Sequence, residues 1–327
     1  MKKLINDVAS VLDESLDGFA AAHAGLVELD AGRRFVRRRT PASGKVALVS
    51  GGGSGHEPLH AGFVGQGMLD AAVPGAIFTS PTPDRILAAI EAVDSGAGVL
   101  LIVKNYEGDV MNFDMAAEMA GSQVAKVLVA DDVAVDNSSY SIGRRGVAGT
   151  LVVEKILGAA AEQGMALSEL AALGERVNAA TRSMGVALTS CTVPAAGKPT
   201  FTLGEGEIEI GVGIHGEPGR RRAPLEPASA IVDELLGAIL ADLKPAKNAR
   251  CLLFVNGFGG TPSGELYLVY NAARLRLEAQ GLEVTRSLVG SYVTSLEMAG
   301  CSLTVTVLDD ELARLWDAPV RTPALCW

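Results

Sequence analysis

The sequence KVALVSGGGSGHEP occupies residues 45–58 and decides the fold of this chain. Residues 45–50 are mostly apolar and predict a buried strand, the glycines predict a tight turn, and Pro58 is tolerated in the first turn of a helix. In α/β proteins a strand, a glycine-rich turn and a helix in this order bring backbone N–H groups close to a ligand. The stretch therefore predicts a ligand site with the imidazole of His56 at its rim.

Short apolar strands alternate with amphipathic helices around this stretch. The spacing of apolar residues predicts strands over 45–49, 98–104 and 124–130, and helices over about 4–20, 58–66, 83–94, 112–121, 147–163 and 168–181. Strands of this kind form largely parallel sheets with both faces covered by helices. We therefore expect an N-terminal α/β domain with a largely parallel sheet flanked by helices.

The second part of the chain has fewer helices for each strand. The pattern predicts strands over 207–214, 251–255, 283–289 and 302–308, and helices over 227–243 and 263–280. This proportion is typical of a smaller C-terminal α+β domain. We expect two domains, residues 1–183 and 184–327, with a cleft between them.

Composition excludes several classes of partner. The net charge of −10 makes nucleic acid a poor partner, and no run approaches the ~20 apolar residues that span a bilayer. We expect a cytoplasmic protein with no membrane partner, because the first residues include charged side chains where a signal peptide has an apolar segment. The cysteines form no CxxC pair and are expected to be buried thiols: Cys191, Cys251, Cys301 and Cys326.

The segment from His56 to His60 matches the H-E-x-x-H motif of zinc peptidases. That motif needs both histidines on one face of a helix, whereas Pro58 favours a helix that begins at about Glu57 and leaves His56 in the turn. The longer form of the motif also fails, because Phe63 stands where glycine is required. We therefore predict no metal site, and we expect His60 to pack or cap locally.

The glycines also fail the common nucleotide and hydrolase patterns. G-x-G-x-x-G registered on Gly51 ends on His56, and registered on Gly53 it ends on Pro58. Neither a P-loop nor G-x-S-x-G occurs here. The sequence thus predicts no nucleotide cofactor in this chain.

Lys104 and Asp109 follow the second predicted strand. If that strand is parallel to the first, both side chains lie with His56 at the sheet edge where α/β proteins bind ligands. A carboxylate and an imidazole together can move protons to and from an alcohol. An alternative is equally compatible with the sequence: Asp109 caps a helix that begins near Asn112.

His215 lies in a glycine-rich segment that follows another predicted strand. Small neighbours leave the imidazole open to a ligand, and a neutral imidazole is a competent nucleophile toward a carbonyl. His215 is therefore a candidate nucleophile.

Together these segments resemble the K subunits of dihydroxyacetone kinases, which bind the ketose. The resemblance covers nearly the whole chain, in segments 1–7, 51–58, 78–83, 104–109, 143–146, 191–199, 211–219 and 315–319. It implies that His215 captures the ketone as a covalent hemiaminal. It further implies that His56 hydrogen-bonds the substrate as an acid/base, and that Asp109 assists at the hydroxyl group that receives the phosphoryl group.

The resemblance also implies a substrate pocket completed by the Lys104 side chain and by the backbone of Gly53, Ser54 and Gly55. It implies homodimers, and a separate L subunit that carries adenine nucleotide and Mg²⁺, since the L domain of fused members does not follow here. In some systems an M subunit of the phosphotransferase system recharges that nucleotide, and in others ATP exchanges. The alternatives are a kinase subunit for another short ketose, such as erythrulose, and a non-catalytic ketose-sensing co-regulator.

Overall fold

Two six-stranded sheets form the core of the protein, whose computed structural model describes residues 2–135 and 143–327. The first sheet contains β1 Val27–Leu29, β2 Val36–Arg38, β3 Ala47–Ser54, β4 Ala71–Ile77, β5 Val99–Lys104 and β6 Val124–Val129. The second contains β7 Thr181–Ala187, β8 Glu207–Ile210, β9 Arg221–Pro224, β10 Arg250–Gly257, β11 Glu283–Gly290 and β12 Gly300–Val307.

Helices cover both sheets. In the described ranges they are α1 Val11–Ala22, α2 Pro83–Val93, α3 Glu107–Met119, α4 Gly149–Glu162, α5 Leu167–Ala179, α6 Ala228–Leu243, α7 Ser263–Ala279 and α8 Asp310–Asp317. None of the helices in the described part of the chain is long and apolar enough to cross a bilayer.

The first sheet has the order β1-β2-β4-β3-β5-β6. Its centre is parallel, because β3 pairs in parallel with β4 and β5, and β5 pairs in parallel with β6. The short strands β1 and β2 form an antiparallel edge. Every residue of β3 and β5 is buried, as expected of strands with both faces covered. The predicted α/β class and largely parallel first sheet are confirmed.

The second sheet is mixed and has the order β11-β10-β12-β7-β8-β9. β10 and β11 are parallel, and the other pairs are antiparallel. The predicted domain boundary between residues 183 and 184 falls inside β7 and stays a prediction.

The two sheets share a central layer of helices. Leu48 and Leu100 of the first sheet, and Leu252 and Phe254 of the second, belong to one apolar cluster that also includes α4. Alternate residues on the outer faces pack against α2 and α3 on one side and against α6 and α7 on the other. Thirteen of the fourteen residues of α4 are buried, because this helix lies between the sheets.

The predicted helix over 58–66 is wrong. β3 continues through the glycines to Ser54, and the only helical turn nearby is a 3-10 turn over Ala61–Phe63. Glycines inside a strand often mark a close approach of neighbouring backbone. Here the backbone of β4 packs directly on Gly51, the backbone that follows β4 packs on Gly53, and the Lys104 side chain packs on Gly52. The glycines therefore serve packing rather than a turn.

Several other boundaries differ from the predictions. The first helix begins at Val11, and α3 begins at Glu107, five residues before the predicted start at 112. The strand predicted over 207–214 ends at Ile210, where Gly211 adopts a positive φ of 82°. The periodicity missed β1, β4, β7, β9 and α8. Residue 1 of the N-terminal segment used for the family resemblance lies outside the described residues.

The cysteine prediction is correct for three side chains and wrong for one. Cys191, Cys251 and Cys301 are buried, whereas Cys326 near the C-terminus is exposed.

Candidate functional site

A pocket of about 570 Å³ lies at the carboxyl ends of β3, β4 and β5. Gly53, Phe78 and Asp109 line it from the first sheet and its connections, and His215 and Glu217 line it from the loop after β8. The pocket therefore joins the two halves of the chain, at the position where α/β folds bind ligands.

His215 is positioned by the carboxylate of Glu217. The backbone N–H of His215 donates to Glu217 Oε2 at 2.8 Å, and His215 Nδ1 lies 3.6 Å from Glu217 Oε1. A Cβ at Gly213 would lie 2.1 Å from the carboxyl carbon of Glu217, so this close approach requires glycine. The His215 side chain is 19% exposed, and its Nε2 is the ring nitrogen that does not face Glu217.

Glu217 is itself held as a carboxylate. Tyr106 Oη donates to Glu217 Oε1 at 3.2 Å, and Arg145 Nη1 lies 3.8 Å from the same oxygen. Burial alone would raise the pKa of Glu217, but the hydrogen bond and charge of His215, with the charge of Arg145, lower that pKa to about 2. Arg145 is fixed in turn by Asp132 at 2.6 Å.

Sequence reasoning did not assign roles to Tyr106, Arg145 or Glu217. All three lie in segments that carried the family resemblance, 104–109, 143–146 and 211–219. The available signal was a glutamate two residues after a candidate nucleophilic histidine. That signal alone assigns no role, because the burial of Glu217 cannot be inferred from a glycine- and proline-rich segment.

His56 is fully buried beside His215. Its Nδ1 donates to the carbonyl oxygen of Thr294 at 2.8 Å, so Nε2 carries the lone pair, and Nε2 has no hydrogen-bond partner among the described residues. The ring stacks on Phe78 at 5.0 Å and meets the His215 ring edge-on at 4.7 Å between centroids. Burial, with the nearby charges of His215 and Lys104, holds the pKa of His56 well below its usual range. His56 is therefore a neutral imidazole with a free acceptor.

Lys104 and Asp109 form a buried ion pair at the wall of the pocket. Lys104 Nζ lies 3.3 Å from Asp109 Oδ2 and donates to the carbonyl oxygen of Gly51 at 3.0 Å. A Cβ at Gly52 would lie 2.2 Å from Nζ, so the glycine makes room for the ammonium group. Asp109 lines the pocket, whereas Lys104 has no exposed surface and reaches the pocket through Asp109.

The capping alternative for Asp109 is wrong. α3 begins at Glu107 with Tyr106 as its N-cap, so Asp109 lies in the first turn of the helix, where it is buried. A carboxylate is favoured in a first helical turn by the helix dipole.

Gly53, Ser54 and Gly55, whose backbone was predicted to contact the substrate, differ in their surroundings. Gly53 lines the pocket. Ser54 is buried and donates from Oγ to the carbonyl oxygen of Gly75 at 2.7 Å. The N–H of Gly55 donates to Glu57 Oε1 at 3.0 Å. Substrate roles for these three residues stay predictions.

The two histidines of the H-E-x-x-H segment have separate partners. His60 is buried and contacts Glu154 and Lys104, while His56 donates to Thr294. No group of three or more potential ligands in residues 2–135 and 143–327 could hold a metal ion.

Residues 17–324 match the Dak1 domain, and the chain therefore belongs to the Dak1 family. It is 49% identical to the dihydroxyacetone-binding subunit of the PEP-dependent dihydroxyacetone kinase of Escherichia coli (strain K12), over 100% of this chain and 99% of that protein. It is 51% identical to the dihydroxyacetone-binding subunit of a PTS-dependent dihydroxyacetone kinase of Listeria innocua, over 95% of each.

Among solved structures, the chain is similar to a dihydroxyacetone kinase operon co-activator, with a TM-score of 0.90 and 36% identity over 98% of both chains. The resemblance inferred from sequence segments is confirmed. The predicted enzyme class, phosphotransferase, is confirmed as well, since the Escherichia coli and Listeria innocua relatives are both subunits of kinases.

Proposed function

We propose that this chain is the dihydroxyacetone-binding subunit of a dihydroxyacetone kinase and that His215 captures the ketose covalently. The observation that carries the proposal is the pairing of His215 with the buried carboxylate of Glu217 beside the free Nε2 of His56. A nucleophile and its orienting carboxylate line one pocket, and the second imidazole, that of His56, lies against the His215 ring.

Capture begins with the lone pair of His215 Nε2 attacking C2 of dihydroxyacetone. The N–C bond forms as the carbonyl π bond opens, the oxygen takes up a proton and Nδ1 releases one, so that a neutral hemiaminal results. Glu217, 3.6 Å from Nδ1, stabilises the positive charge that develops on the ring during the attack. Because the adduct requires a carbonyl group, the site selects ketoses over glycerol.

His56 and Asp109 then act on the hydroxyl groups of the captured ketose. The free Nε2 of His56 accepts a hydrogen bond from one hydroxyl group. Asp109 accepts from the hydroxyl group that receives the phosphoryl group. Phosphoryl transfer depends mostly on positioning and charge stabilisation, and a covalent anchor with two acceptors fixes the attacking oxygen.

The phosphoryl donor comes from a separate L subunit that holds adenine nucleotide and Mg²⁺, and the product is dihydroxyacetone phosphate. Support comes from the absence of a P-loop motif in the sequence and from the names of the relatives, which are dihydroxyacetone-binding subunits of PEP- or PTS-dependent kinases. An M subunit of the phosphotransferase system recharges the nucleotide in such a system. The ketose-binding chain works as a homodimer.

The test is a crystal structure of the chain soaked with dihydroxyacetone, together with calorimetry. We expect continuous density between His215 Nε2 and C2 of the ketose, and loss of measurable binding in H215A. H23A is the matched control, because His23, at the end of α1, does not line this pocket. A ketose held without a bond to His215 would refute covalent capture, and binding of ATP by the chain alone would refute a separate donor subunit.

A second candidate is a ketose-sensing co-activator of transcription, favoured by the structural similarity to an operon co-activator. Both functions need capture by His215, but only the kinase needs Asp109. A chain that binds dihydroxyacetone, yet forms no dihydroxyacetone phosphate with a nucleotide-bearing L subunit, would favour the co-activator.

A further inference from the structure

Four ionisable side chains, each in contact with the next, run from the central helix layer to the pocket wall. Glu154 of α4 contacts His60 Nδ1 through Oε1 at 2.5 Å, and His60 Nε2 lies 3.0 Å from Lys104 Nζ. Lys104 Nζ in turn lies 3.3 Å from Asp109 Oδ2. All four side chains are buried, and the mechanism above uses only the last one directly.

The direction of the hydrogen bonds among these four side chains follows from Lys104 and Ser50. An ammonium group only donates, so His60 Nε2 must accept and the ring proton lies on Nδ1. Ser50 Oγ donates its single proton to the carbonyl oxygen of Ile102 at 2.7 Å, and it therefore accepts from His60 Nδ1 at 3.0 Å. Glu154 Oε1 is the second acceptor for the same Nδ1 proton.

The three N–H groups of Lys104 are matched by three acceptors: Gly51 O at 3.0 Å, His60 Nε2 at 3.0 Å and Asp109 Oδ2 at 3.3 Å. The contact with Asp109 is longer than the roughly 2.7–2.9 Å of a close charge-assisted hydrogen bond. Gly51 and His60 therefore hold the ammonium group back from Asp109. Without the His60 acceptor, Lys104 would close on Asp109 and withdraw a carboxylate oxygen from the substrate.

Packing alone does not explain Glu154 and His60. α4 is buried between apolar layers, and Glu154 Oε2 has no hydrogen-bond partner in the described part of the protein. Buried ionisable groups can often be replaced by apolar side chains without loss of stability. Burial raises the pKa of Glu154 to about 8, so near neutral pH this side chain is mostly a neutral acid that accepts through Oε1. Glu154 therefore offers His60 a neutral hydrogen-bond acceptor and no negative charge.

We propose that His60 and Glu154 are positioning residues for phosphoryl transfer: they hold the Lys104 ammonium group by hydrogen bonds, so that Asp109 stays directed at the substrate hydroxyl group. The inference rests on the proposed kinase function. It assigns the second histidine of the H-E-x-x-H segment to the reaction, though not to a metal.

The test compares two variants of similar size, H60Q and H60N. The longer Gln side chain places its amide oxygen near the position of Nε2, where it accepts from Lys104, while Asn reaches only the position of Nδ1. With a nucleotide-bearing L subunit, H60N should lose about 30- to 100-fold in kcat, the scale set by a misplaced catalytic group. H60Q should stay within about fivefold of the parent chain. The KM for dihydroxyacetone and its calorimetric affinity without the L subunit should change less than about threefold in both, because His215 is untouched.

Glu154 provides a second, independent pair. E154Q keeps an acceptor for His60 Nδ1, and E154L removes it within nearly the same volume. We expect E154Q within about threefold of the parent kcat, and E154L lower by about three- to tenfold, because Ser50 still accepts from the ring. This pair decides the question if the His60 variants do not fold, which thermal unfolding would reveal.

D109N separates failure of this inference from failure of the proposed function. If D109N and H60N both keep the parent kcat, the assigned role of Asp109 is wrong. If D109N is inactive while H60N keeps its kcat, only the positioning inference is overturned. Equal losses in H60Q and H60N, with a matching fall in melting temperature, would also overturn it, because that result defines a structural role.

Discussion

Glu154 gives a sharp prediction for the pH dependence of stability. Burial raises the pKa of its carboxyl group from 4.5 to about 8, and the group is fully buried, so solvent screening does not reduce the effect. At about 1.4 kcal/mol per pKa unit, this rise corresponds to roughly 5 kcal/mol of unfolding free energy.

The sign follows from where the proton is held. Below pH 4.5 the carboxyl group is protonated in both states, and the shift has no effect on stability. Between pH 4.5 and about 8 the unfolded chain releases the proton first, so the unfolding free energy falls as pH rises. Above about pH 8 the loss is complete. Gln at this position does not titrate, and E154Q should lack this loss.

The assay is urea denaturation of the parent chain and of E154Q between pH 5 and 9, followed by tryptophan fluorescence. We expect the stability of E154Q relative to the parent to rise by up to about 5 kcal/mol across this range. Any pH-independent effect of replacing the acid by an amide on the unfolding free energy cancels, because only the change of the difference with pH is used. E205Q is the control, because Glu205 is exposed. A pH-independent difference, or a relative stability of E154Q that falls with pH, would show that Glu154 is ionised in the folded state.

Three further predictions concern other residues. G52A should lower kcat at least tenfold, since its Cβ would lie 2.2 Å from Lys104 Nζ and displace it; an unchanged kcat would contradict the packing at Gly52. The pKa of Glu217 is lowered to about 2, so its carboxylate contributes about 3 kcal/mol to the unfolding free energy, present above pH 4.5 and lost as pH falls toward 2. E217Q should lack this acid dependence in denaturation curves. An unaltered dependence would argue against a buried carboxylate. Cys326 should react rapidly with a thiol reagent in the native chain, as the one exposed cysteine in the described residues, and fast reaction of two or more thiols would argue against the buried positions of the others.

The strands that are continuous apolar runs were predicted from the sequence. The apolar runs at 45–49, 98–104 and 124–130 correspond to β3, β5 and β6. The run is clearest in β3 and β5, because strands covered on both faces need apolar residues throughout. The periodicity missed β4, which contains Pro74 and Gly75, two residues that normally argue against a strand. Pro74 is accommodated where β4 meets the glycines of β3, with Gly52 as its pairing partner.

The sequence predicted those candidate site residues that come soon after the end of a strand. His56 and Asp109 were placed near one sheet edge by parallel strand order alone, and the family resemblance added His215 as the capturing residue. Glu154 could not be found in this way. It lies in a helix of otherwise ordinary sequence, and its contact with His60 depends on how α4 packs across the sheet, which periodicity does not reveal.

Helix α4 carries two neighbouring buried ionisable side chains, Glu154 and Lys155, whose partners lie in different halves of the protein. Glu154 contacts His60 beside the first sheet, whereas Lys155 Nζ donates to the carbonyl oxygen of Leu315 in α8, at 2.9 Å. The two halves are therefore not interchangeable modules. A chimera that took either half from a distant relative would have to inherit α4 with both of its contacts, or leave a buried polar group unsatisfied on one side. Recombination among such proteins should therefore succeed only at crossover points that keep α4 with its neighbours from both sheets.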